Sequence, residues 1–217
     1  MLKTYDLCIA PRSERDLVEI ASMLNDLGYE GAALDISLSR VDYRRAKTIF
    51  AREGLDLLSR ATFEASSGKE VVEKARKLKL FYDIVAVKPL SAEAARIAAR
   101  DPRISLILLP PNMARYMDRS QARMLAMGGG CIEVCFRHIL EKGDPRKKLR
   151  GIIVVVRRAI AFEACLITTS CARTVWELWP TASLRGFLVS FGLSEQQAKV
   201  IVQANPKLVV SKVKGGI

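Results

Sequence analysis

The chain contains one histidine, His138, and five cysteines, Cys8, Cys131, Cys135, Cys165 and Cys171. A zinc or di-iron hydrolase gathers several histidines and carboxylates around open coordination positions, and one histidine cannot supply that. Asp6, Asp35, Glu64 and Glu133 all fall near apolar runs. That set could at most recruit a hard cation such as Mg2+. Asp35 closes the run Ala32-Ala33-Leu34, where barrel enzymes place catalytic groups; a carboxylate paired with a neighbouring arginine or capping a loop is the stronger reading, since no partner set converges on it. Cys135 and His138 have a spacing that puts them on opposite faces of an extended strand, which argues against a thiol nucleophile with its base. Ser66-Ser67-Gly68-Lys69-Glu70 lacks the spacing of a phosphate loop.

The elements that would position these groups alternate. Short β-branched or leucine-rich runs at 5–10, 31–36, 55–63, 83–87, 104–109, 131–136 and 165–169 are separated by segments of helical period. The first helix is expected from its N-cap Ser13 to Gly28, with Leu17, Ile20, Ala21, Leu24 and Leu27 as the buried stripe. Further helices are expected at 42–52, 69–80, 92–99, 119–127 and 146–164. Seven repeated strand-helix steps predict an α/β, TIM-barrel-like fold of about seven parallel strands, with an open doubly wound sheet as the competing architecture. No linker or repeat interrupts the 217 residues, so the reading is one domain over 1–217 with a basic C-terminal tail from about 207.

Lysine and arginine number 35 against 23 aspartate and glutamate, a net charge of +12. This balance favours polyanionic partners such as nucleic acid. Residues 1–136 carry a net +3 and residues 137–217 a net +9. Part of that excess lies on the helix beginning near Arg146, where Arg146, Arg150 and Arg157 share one face, with Lys147 and Arg158 alongside. Leu149, Ile152, Ile153, Val156 and Ile160 lie opposite. Trp176, Trp179 and Phe187 sit in the same basic third and could stack on bases, although core or partner-interface packing is the commoner fate of tryptophan. The odd number of cysteines, without metal-ligand spacing, predicts reduced thiols in a cytoplasmic protein. No apolar run is long enough for a membrane span, and no secretory leader is expected.

The stretch from Lys79 to Pro89, Lys-Leu-Phe-Tyr-Asp-Ile-Val-Ala-Val-Lys-Pro, resembles a segment of the family of the 30 kDa protein subunit of ribonuclease P. Leu57 to Thr62 and Gly130 to Phe136 are similar to two of that family's strands, and Phe187 to Ser194 with Asn205-Pro206 to its C-terminal helix pair. The matches keep their order from about Tyr5 to Val210. The resemblance implies a TIM-barrel-like fold and a role in an RNA-based endonuclease that removes 5′ leaders from precursor tRNA. In it the RNA subunit cleaves with Mg2+, while the protein binds no cofactor and has no catalytic residue. It further implies three partners: ribonuclease P RNA, precursor tRNA in the complex, and protein component 2 in a heterotetramer. The family's basic positions match Arg60, Lys88 and Arg137; with His138 and Arg173, which follows the last strand, they are the expected RNA contacts at the barrel rim, and the basic helix adds Arg146, Lys147, Arg150, Arg157 and Arg158 as a second candidate surface. Trp179, in Glu177-Leu178-Trp179-Pro180, departs from the family's basic residue before a glycine-proline. The alternative from a different class is a metal-dependent phosphoesterase of the polymerase and histidinol phosphatase type, which requires the histidine cluster this chain lacks.

Overall fold

The computed structural model describes residues 4–215. Seven strands form one sheet in chain order, with parallel pairing. This is the α/β, TIM-barrel-like order expected from the alternation of runs; the doubly wound alternative would have required a reversal of strand order. Strand boundaries agree with the sequence reading to within one or two residues. The chain divides into two compact units: one formed by the residues up to Arg60 and from Thr168 onward, the other by Ala61–Ile167.

The first unit holds β1 (Tyr5–Ile9), α1 (Glu14–Asp26), β2 (Gly31–Asp35), α2 (Tyr43–Arg52) and the first half of β3 (Asp56–Ala65). β1 and β2 are buried at every position, which is why they read as continuous apolar runs rather than alternating ones. Ser13 caps α1 by accepting from the Asp16 N–H at 3.2 Å, and Gly28 turns the chain with φ 75°, a conformation glycine adopts without penalty. Leu17, Ile20 and Leu24 of α1 meet Leu34 and Phe50 in one apolar cluster. Each such side chain contributes about 1.5–3 kcal/mol by leaving water.

The second unit begins with the end of β3 and continues through α3 (Gly68–Leu78), β4 (Ile84–Pro89), α4 (Ala92–Arg100) and β5 (Leu106–Leu108). A 3-10 turn (Pro111–Tyr116), α5 (Arg119–Gly128), β6 (Cys131–Cys135), α6 (Arg137–Leu140) and α7 (Pro145–Ala161) complete it, and β7 (Leu166–Thr169) follows. Ser67 caps α3, while Glu70 returns to accept from the Ser66 N–H at 2.8 Å. A carboxylate therefore already sits at the helix N-terminus that the Ser-Ser-Gly-Lys stretch opens. The buried line of α7 is Gly151, Ile152, Val155, Val156 and Ala159, displaced slightly from the stripe expected; Leu149, Ile153 and Ile160 are half-buried. The displacement has a packing cause: α7 lies so close to the 3-10 turn that a Cβ on Gly151 would fall 2.3 Å from the Pro111 carbonyl oxygen.

Two expectations are corrected. Cys131 and Cys165 are not reduced thiols but a disulfide, with Cα atoms 4.6 Å apart. The Ile132 N–H donates to the Cys165 carbonyl at 2.8 Å, so the backbone itself sets the two cysteines side by side within bridging range. The stretch from 207 is also no tail. After α8 (Thr181–Ser190), the helix α9 (Glu195–Lys199) passes through a π turn (Val200–Ala204) into α10 (Asn205–Lys214). Pro206 explains the wider turn, since it has no N–H to donate and its ring crowds the carbonyl four residues earlier. Val209 and Val210 are buried, and Lys207 and Lys214 pair with Glu30 and Asp56 at 2.9 and 2.6 Å. No helix among the described residues is long and apolar enough to cross a membrane.

Candidate nucleic-acid interface

Strand ends carry charge in both units, with opposite outcomes. In the first, Asp35 closes β2 and is registered against Arg60 on β3. Both side chains are 0% exposed; Arg60 Nε lies 3.2 Å from Asp35 Oδ2, and its other arm donates to the Leu7 carbonyl at 2.7 Å. This corrects the reading of Arg60 as a rim contact, because its charge is consumed inside the fold and no phosphate can reach it there. Asp35 takes the structural role that the sequence favoured over catalysis. Near them, the buried Asp6 accepts from the N–H groups of Cys8 and Ser170, each at 3.2 Å. Burial pushes its carboxyl up to about 7, partly opposed by those hydrogen bonds.

In the second unit the strand ends open into a cleft of about 540 Å3. Lys88 and Leu90 enter it from β4, Asn112, Arg115 and Tyr116 from the 3-10 turn after β5, His138 and Glu141 from beyond β6, and Lys148 from α7. The position of the turn follows from Pro110 and Pro111, whose fixed φ starts it directly after the strand. Lys88 is half-buried and pairs with Glu64 at 2.8 Å. The Arg115 guanidinium lies 4.9 Å from the centre of the Tyr116 ring and donates to its hydroxyl at 2.9 Å. Lys148 donates to the Glu141 carbonyl. Three basic side chains and a histidine thus line a cleft to which one carboxylate, Glu141, contributes.

Arg146, Lys147, Arg150, Arg157 and Arg158 are all exposed on α7, as the helical spacing required. Arg158 also holds the 3-10 turn, reaching the carbonyls of Ala114 and Arg115 at 3.4 and 3.2 Å. Arg137 is half-buried on α6 beside His138. Of the residues singled out in sequence, Lys88 and His138 share the cleft; Arg173 belongs to the first unit, half-buried, its N–H donating to Glu177 at 2.7 Å. Arg115 and Lys148 were missed. The pair Arg115-Tyr116 after two prolines was the available signal, a basic-aromatic step on a strand-end loop.

Asp35 is paired with Arg60, and Glu64 with Lys88. Trp179 packs on Phe187 with ring centres 5.8 Å apart, Phe187 packs on Phe191 at 4.7 Å, and the Trp179 carbonyl accepts from the Tyr29 hydroxyl at 2.8 Å. An aromatic in place of a basic residue is thereby built into packing. Trp176 is 91% exposed.

Comparison with known proteins bears on this arrangement. The family model described as RNase P subunit p30 matches residues 3–215. Ribonuclease P protein component 3 of Aeropyrum pernix is 28% identical over 214 residues, covering 92% of this chain and 97% of that protein. Among solved structures, a chain in a cryo-EM structure of archaeal ribonuclease P with mature tRNA superposes with a TM-score of 0.78 at 18% identity, over 97% of this chain and 90% of the other.

Proposed function

The chain belongs to the RNase P subunit p30 family, and from that premise we propose that it serves ribonuclease P as an RNA-binding protein subunit. The observation that carries the reading is the run of basic side chains from the cleft onto α7: Lys88, Arg115, His138 and Lys148, then Arg146, Lys147, Arg150, Arg157 and Arg158. Ammonium and guanidinium groups gathered on one surface neutralise phosphates and release their counterions. Arg115 against Tyr116 adds a flat face on which an unpaired base can stack. Arg137, half-buried next to the cleft histidine, belongs to the same surface, whereas Arg173 is the first unit's contribution.

The protein's work is positional. It brings cations to RNA phosphates and favours the fold of ribonuclease P RNA in which that RNA, with Mg2+, removes the 5′ leader of precursor tRNA. The protein itself holds no cofactor and cuts no bond. Protein component 2 is its protein partner, in a heterotetramer, and Trp176, being almost wholly exposed, is suited to such a contact or to a base. The compartment is the cytoplasm; a disulfide there is unusual but is found in intracellular proteins of hyperthermophilic archaea.

Binding to ribonuclease P RNA across a salt series tests the reading. Affinity should fall steeply as salt rises, and replacing Arg146, Lys147 and Arg150 by alanine should flatten the dependence by about 0.7–0.9 in log–log slope for each phosphate no longer neutralised. Binding that ignores salt, or a slope the triple variant leaves unchanged, contradicts it.

A further inference from the structure

We propose that Cys8 and Cys171 form a second disulfide, tying β1 to the segment that follows β7 within the first unit. Their sulfurs lie 2.6 Å apart, whereas the Thr169 hydroxyl, an ordinary neighbour, stands 3.8 Å from the Cys171 sulfur. A sulfur–sulfur bond needs about 2.05 Å, so a shift of tenths of an ångström completes it.

The backbone accounts for the approach. Ile9 and Ala172 form a parallel bridge, and the Ala10 N–H donates to the Ala172 carbonyl at 2.8 Å. Cys8 and Cys171 each precede a bridged residue by one position, and side chains at equivalent positions of paired parallel segments share a face. Ser170 reinforces the register by donating through its N–H to Asp6 at 3.2 Å and through its hydroxyl to the Cys8 carbonyl at 3.4 Å. Cys171 is also held at φ 49°. A residue other than glycine keeps that left-handed conformation only where its surroundings hold it there, and a covalent tether does so.

The bond forms by exchange with a small disulfide such as oxidised glutathione. One cysteine loses its proton and its sulfur attacks the reagent, releasing one glutathione thiol. The second cysteine then displaces the other glutathione from the mixed disulfide. Two protein thiols lose two hydrogens and one reagent disulfide becomes two thiols. Both sulfurs are buried in the finished fold, and burial raises the Cys8 thiol well above its ordinary range, so exchange belongs to the stage before the core closes. Once made, the bond should resist reductant in the native protein and yield to it in denaturant.

The full-length chain is purified without reductant, incubated with excess oxidised glutathione in dilute urea, then unfolded at mildly acid pH, where exchange is slow, alkylated with a maleimide, which still reacts there, and digested. One unlinked cysteine, Cys135, alkylated or capped by glutathione, is expected, together with a linked peptide pair carrying Cys8 and Cys171 that separates on reduction. In Cys171→Ser no linked pair should form, and Cys8 should be recovered alkylated or capped by glutathione. Cys8 and Cys171 both recovered unlinked, alkylated or capped by glutathione, in the unsubstituted chain overturns the proposal, as does either one linked to a different cysteine.

Discussion

The strand ends of the first unit and those of the second carry comparable charged residues and put them to opposite uses. Asp35 and Arg60 are wholly buried and satisfy each other, with the Leu7 carbonyl taking a remaining guanidinium proton. Lys88, Arg115, His138 and Lys148 line an open cleft. The difference lies in the path of the chain just beyond each strand. After β2, it folds back locally, Ser37 and Ser39 bonding to Asp35 and the Pro11 carbonyl. After β5, two prolines launch a 3-10 turn whose far side α7 approaches through Gly151. One arrangement uses its charge within the fold, and the other leaves basic side chains along an open cleft, the surface proposed above to meet RNA.

The largest effect is expected from breaking the buried pair. Arg60→Ala removes the buried partner of Asp35 and should cost about 3–5 kcal/mol in urea unfolding; Asp35→Ala should cost as much. A loss of RNA affinity with unchanged stability in the Arg60 variant would instead return Arg60 to the interface.

Asp6 gives a pH-dependent contrast of nearly that size. Its folded pKa, about 7, lies above that of the unfolded chain. The native state therefore binds the extra proton between roughly pH 4 and 7, and its contribution to stability is present below the unfolded value and lost as pH rises through 7. Asp6→Asn, which cannot ionise, should gain on the unsubstituted protein over that window by roughly 2–4 kcal/mol. Parallel stability curves for the two proteins would show that Asp6 is not the group responsible.

A smaller loss should follow Gly151→Ala, about 1–3 kcal/mol, because the added methyl meets the Pro111 carbonyl. Thermal unfolding reads the cost, and the variant's RNA affinity should also fall, since the turn that carries Arg115 must move. Smallest in stability is the combined Lys88, Arg115 and Lys148 to alanine variant: its melting temperature should stay close to that of the parent while RNA binding weakens across sequences.

Much of this was legible in the sequence. Fully buried parallel strands read as uninterrupted apolar runs, and caps such as Ser13, Asp42, Ser67 and Ser91 mark helix starts where they were expected or one residue away. The exposed arginines of α7 followed from helical spacing. Burial of Arg60 did not, because an arginine inside an apolar run looks the same whether its partner is a phosphate or an aspartate one strand away. The Cys131–Cys165 disulfide joins residues brought together only by strand pairing, and spacing along one chain carries no register. Arg115 and Lys148 belong to a turn and a helix whose meeting is set by Gly151, a close approach that leaves no periodic trace.

The most direct test is cleavage of precursor tRNA at limiting Mg2+ by ribonuclease P RNA with protein component 2, measured with this protein, without it, and with the protein alone. Stimulation that requires the RNA, and that the combined Lys88, Arg115 and Lys148 variant loses while remaining folded, is the predicted result. Cleavage by the protein alone, or full stimulation by that variant, would contradict the account.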